Sequence, residues 1–126
     1  MVKKGRSTAT TEENHLSVCK NYDMVLLYKK LRETVFENLE NVGTAATADY
    51  VSWNVGGKRQ FANFYIQKKK IRILTRTPMG KHTVGETVPD THLWTLNYQT
   101  DICSSTDIEK VKGVLLESYN QVKSLI

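Results

Sequence analysis

The hydrophobic positions of this chain change period several times, and each change marks an element. Between Asp23 and Asn41, Met24, Tyr28, Leu31, Val35 and Leu39 recur at spacings of three and four. That spacing puts them on one face of a helix, which Leu27 and Phe36 widen. Asn21 or Asp23 can cap its start, and Gly43 lies where a C-terminal stop belongs. The period then drops to two. Val51, Trp53 and Val55 alternate with polar residues along Tyr50–Val55. Gly56-Gly57 supplies a tight turn, because glycine reaches positive φ without a steric penalty.

The next stretch, FANFYIQKKKIRILTR at 61–76, reads as a hairpin with cations at its tip. On the strand Phe61–Gln67, strict alternation places Ala62, Phe64 and Ile66 on one face and Phe61, Asn63 and Tyr65 on the other. Lys68, Lys69 and Lys70 form the turn, and Ile71–Thr77 is the third strand. Pro and Gly break the segment Pro78–Thr91, which reads as a long loop. A fourth strand, Leu93–Cys103, carries Trp94, Leu96, Tyr98 and Ile102 on its apolar side. A second helix, Asp107–Ser124, has Ile108, Val111, Leu115, Tyr119 and Val122 as its stripe, with Thr106 and Glu109 at capping-box spacing. The order α-β-β-β-β-α predicts an α+β domain over 21–126. It has a four-stranded antiparallel sheet with both helices packed on one face. Residues 1–20 are polar and read as a flexible lead-in.

Length and charge narrow the function classes. A chain of 126 residues supports one modest core. Its formal net charge of +5 favours polyanionic partners. The longest apolar runs fall far below the ~20 residues of a spanning helix, and the N-terminus lacks a signal-peptide core. A cytoplasmic protein without membrane contact is therefore expected. Cys19 and Cys103 form no CxxC pair, so neither a disulfide framework nor a zinc cage is indicated.

Three blocks together resemble a known family: FANFYIQKKKIRILTR (61–76), HLWTLNY (92–98) and SSTDIEKVKGVLLESYNQV (104–122). They are similar, in order and spacing over about residues 23–124, to a small bacterial and archaeal domain family of unknown function. Its members occur alone or beside predicted restriction-endonuclease-like domains, and are sometimes labelled predicted transport proteins. The resemblance implies the fold and a nuclease context. It implies no activity, because none is established for the family.

The candidate chemistry follows from charge and aromatics. Lys68, Lys69, Lys70, Arg72 and Arg76 could track phosphates, with Phe61 and Tyr65 as stacking rings on the outer sheet face. Lys58 and Arg59 lie at the opposite hairpin turn and need not join that patch. A charged tip can equally keep a sheet edge soluble. His82, Glu86 and His92, with Asp90, could form a loop site, but their spacing matches no metal signature. No catalytic residues, metal or cofactor are indicated. The Phe61–Arg76 hairpin holds no carboxylate to pair with Asp49, so a nuclease centre is not expected. The leading expectation is a non-enzymatic accessory module contacting nucleic acid or a nucleic-acid enzyme through the basic hairpin. The alternatives are a protein–protein or self-association module, and a small-ligand or enzymatic domain with the 78–91 loop as a lid.

Overall fold

A computed structural model describes residues 11–77, 84–89 and 94–126. The elements run α1 (Glu12–Val18), α2 (Tyr22–Phe36), β1 (Val42–Ala46), β2 (Val51–Val55), β3 (Arg59–Ile66), β4 (Ile71–Thr75), β5 (Glu86–Thr87), β6 (Tyr98–Ile102) and α3 (Ile108–Leu125). The fold is α+β with an antiparallel sheet. Among the described residues that sheet has six strands in the order β1-β2-β3-β4-β6-β5, not the four that periodicity predicts. The two additional strands carry no hydrophobic signal. β1 is VGTAA, small and neutral, and β5 is only Glu86 and Thr87. Backbone pairing to β2 and β6 makes them strands.

α1 lies inside the stretch whose composition suggests no structure. Seven residues are too few for a helix that stands alone in water. Tertiary contacts hold it. The Glu12 carboxylate accepts from the Tyr28 hydroxyl and pairs with Arg32 Nε at 2.9 Å. Buried His15 places Nδ1 3.0 Å from the Thr47 carbonyl oxygen. α2 stops at Phe36, earlier than the Asn41 its apolar spacing suggests. Asn41, at φ 58°, makes the left-handed turn into β1, a conformation that Asn tolerates. Gly43 is not the helix stop. It lies in β1, where a Cβ would overlap the Asn54 side chain.

The β2–β3 turn forms as expected, with Gly56 at φ 58° and Gly57 at φ 77°. Alternation then fails on β3. Trp53 pairs with Ala62, but Asn54 pairs with Gln60, which leaves Phe61 as the extra residue of a bulge. The bulge turns Phe61 inward, where it is 0% exposed between Trp53 and Tyr119. Tyr28 of α2 packs on Trp53 and Phe64, and Tyr119 of α3 packs on Phe61. Both long helices therefore lie on the face that carries these rings. Trp53, Phe64, Ile71 and Ile73 are fully buried there. The last long strand covers only Tyr98–Ile102, so Trp94 precedes it and is half-buried rather than core. The helix cap also moves. Ser104 and Asp107 form the box, with Asp107 Oδ2 accepting from the N–H groups of Cys103 (2.9 Å) and Ser104 (3.2 Å). Those N–H bonds, Cys103's first, hold the Asp107 carboxyl below the usual carboxylate range, aided by Lys110.

Ser118 closes the hydrogen-bond account of the bulge. Its hydroxyl donates to the Phe61 carbonyl at 2.5 Å and accepts from the Arg76 N–H at 2.8 Å. A bulge and a strand end each leave a backbone group unpaired, and one fully buried hydroxyl from α3 serves both. Ser118→Ala strands both groups. Urea unfolding is expected to show a loss of roughly 2–4 kcal/mol, since each orphaned buried group costs about 1–3 kcal/mol. Ser118→Thr keeps the hydroxyl and separates its loss from a packing defect.

Candidate nucleic-acid interface

β3 and β4 are joined by the tight turn Gln67–Lys70, closed by the Gln67 N–H donating to the Lys70 carbonyl at 2.9 Å. The turn projects Lys68 and Lys69 into solvent. Neither is paired with a carboxylate among the described residues. The Asn21 side-chain amide donates to the Ile66 carbonyl at 3.3 Å. That bond ties the start of α2 to the base of the turn and brings exposed Lys20 and Tyr22 alongside it. Tyr22 is 72% exposed, an aromatic ring two residues after Lys20. Neither Lys20 nor Tyr22 is suggested by the hairpin sequence, because only the fold makes them neighbours.

The remaining sequence candidates are placed differently. Arg72 is engaged by a carboxylate. It pairs bidentately with Asp101 across β4–β6, Nε to Oδ1 at 3.0 Å and Nη2 to Oδ2 at 3.2 Å. Lys70 Nζ also reaches Asp101 Oδ2, at 3.3 Å. The Arg72 hydrogen bonds, then Lys70, hold the Asp101 carboxyl below its ordinary range. Arg76 donates from Nη1 to the Thr95 carbonyl at 2.8 Å, tied to the segment before β6. Phe61 is core, as the bulge requires, and offers no stacking face. Tyr65 does lie on the outer face. It is half-buried against Tyr50, with ring centroids 5.1 Å apart, and burial, followed by Tyr50 and Asp49, raises its hydroxyl pKa.

Asp101 thus offsets the charge of two cations near the tip. Asp101→Asn releases Lys70 and Arg72 while keeping the side chain's shape. Oligonucleotide affinity at low salt is expected to rise several-fold, and the log–log salt slope to steepen by about one to two units. An unchanged slope would mean that those cations never face the ligand.

The loop candidates do not assemble among the described residues. His82, His92 and Asp90 lie outside them, and Glu86 is an exposed residue of β5 opposite Gln99. No group of three or more His, Cys, Asp or Glu among the described residues could hold a metal ion. No described helix is long and apolar enough to cross a membrane.

At the opposite end of β3, Lys58 and Arg59 are exposed, and the Arg59 guanidinium lies 4.3 Å from the centre of the Trp94 ring. The eight residues of β3 separate this cluster from the lysine turn by about 25 Å, at ~3.3 Å per residue. The two basic regions are therefore distinct. Comparison of the chain with protein-family models, curated proteins and solved structures finds no match.

Proposed function

We propose that this domain is a non-enzymatic accessory module that contacts nucleic acid, or the machinery bound to it, through the end of the sheet carrying Lys68 and Lys69. The observation that carries this reading is the pair of exposed lysines, without a carboxylate partner among the described residues, on the turn whose base Asn21 ties to the start of α2. Lysines supply phosphate affinity without sequence readout, and an exposed ring beside them can stack an unpaired base. Single-stranded ligands are therefore favoured over duplex. The family resemblance of 61–76, 92–98 and 104–122, with its nuclease context, agrees with such a partner.

Fluorescence anisotropy with labelled single- and double-stranded oligonucleotides, titrated across salt, tests the proposal. The expected result is binding that weakens steeply with salt and favours the single strand. No binding at low salt overturns it and gives first place to a protein-partner module. Light scattering that shows self-association unaffected by nucleic acid would support that module.

A further inference from the structure

We propose that the cleft between the β2–β3 turn and Trp94 is a binding site for the phosphate group of a nucleotide or nucleic-acid strand. It lies at the other end of β3 from Lys68–Lys70, and it stands whether or not that turn binds nucleic acid. The cleft has a volume of about 390 Å³, toward the smaller end of small-molecule sites, and is lined by Ser52, Asn54, Lys58, Arg59, Gln60 and Trp94. No carboxylate lines it among the described residues. Lys58 and Arg59 have no acidic partner among the described residues.

The internal hydrogen bonds determine what the cleft offers. Asn54 Oδ1 accepts from the Gly57 N–H at 2.7 Å. Gln60 Oε1 accepts from the Ser52 hydroxyl at 3.0 Å. Both amide oxygens are turned to hydrogen bonds within the protein, which leaves each NH2 as a donor for a ligand. Two amide donors and two cations, with no carboxylate among the described lining residues, are the complement of an oxyanion. Gly43 makes room for this arrangement, since a Cβ there would overlap Asn54 Oδ1. Arg59 lies over Trp94, which holds its guanidinium at the cleft edge, where the planar cation can stack a base. Phosphate supplies only acceptors at neutral pH, and a base supplies the flat face.

The test is calorimetric titration of the whole chain at low salt with inorganic phosphate, adenosine monophosphate and a short oligothymidylate. The main variant is Asn54→Asp with Gln60→Glu. Each new carboxylate keeps an oxygen for the Gly57 N–H or the Ser52 hydroxyl, so the fold is retained, but both donors to the ligand become repulsive acceptors. Circular dichroism verifies the fold. The expected result is binding of at least one probe, weakened about tenfold or more in the double variant. Arg59→Ala gives a comparable loss.

The pattern of probes identifies the source. Equal binding of phosphate and adenosine monophosphate means the phosphate alone is read. Tighter nucleotide binding means the ring contacts the Arg59 edge, and binding of the oligonucleotide alone, weakened in the double variant, means a diester within a strand. The site is overturned if none of the three probes binds. It is equally overturned if the double variant binds them as the wild type does.

Discussion

Lys68→Glu combined with Lys69→Glu is expected to lower single-strand affinity by about a hundredfold to a thousandfold at low salt. Both side chains are exposed, and no described carboxylate compensates them, so each contributes its full charge to an incoming phosphate. Reversal replaces two attractions with two repulsions at the same place. At about 1 kcal/mol per close pair of charges in water, that change reaches the stated range. Lys70 is left intact in this variant because Asp101 already holds it. The wild-type slope of log affinity against log salt is expected near −2 if Lys20, Lys68 and Lys69 each displace a counterion from a single strand. The variant should lose most of that slope. Solvated turn residues have little influence on folding, so its unfolding midpoint should stay close to wild type. Unchanged affinity with an intact fold would remove the turn as the binding site.

The parts of the molecule legible in the sequence are those whose signal is local. Val51, Trp53 and Val55 alternate around buried positions, the Gly56-Gly57 turn forms, and Lys68–Lys70 is a turn. The parts that escaped depend on pairing across the chain. Phe61 reads as an outward residue because alternation assumes an unbroken register, and the bulge opposite Trp53/Asn54 is a property of two strands at once. β1 has no large apolar side chain to announce it. α1 is a helix because Glu12 and His15 reach Tyr28, Arg32 and Thr47, none of them a neighbour in sequence.

The candidate site divides in the same way. Its lysines are visible in one short string, but Arg72 is neutralised by a residue 29 positions away. That loss could be foreseen only with the β4–β6 register in hand. Lys20 and Tyr22 join the site through the single Asn21–Ile66 bond. The cleft beside Lys58 and Arg59 has no motif at all. Its donors face outward because Asn54 Oδ1 and Gln60 Oε1 each accept a bond from within the protein.

Trp53→Ala carries the largest expected loss of stability, about 3–5 kcal/mol by denaturant unfolding. Trp53 is 0% exposed and is the largest of the fully buried side chains. Its ring meets Phe64 at 4.2 Å, Phe36 at 4.8 Å, Tyr28 at 6.0 Å and Phe61 at 6.2 Å between centroids, so it joins α2 to β3 and to the bulge. Removing it leaves a cavity that rings held by separate elements can close only in part. The indole N–H also donates to the Tyr28 hydroxyl at 2.7 Å, and that hydroxyl donates to Glu12 of α1. The variant therefore loosens α1 as well as the core. Against a total of about 5–15 kcal/mol for a domain, the expected loss is a large fraction. Trp53→Phe separates the two contributions. It keeps most of the apolar contact and deletes the donor, so a smaller loss of about 1–2 kcal/mol is expected. Trp94, the second of the chain's two tryptophans, remains as a fluorescence reporter in both variants. A loss below about 1 kcal/mol in Trp53→Ala would mean that the ring cluster is not the centre of the core.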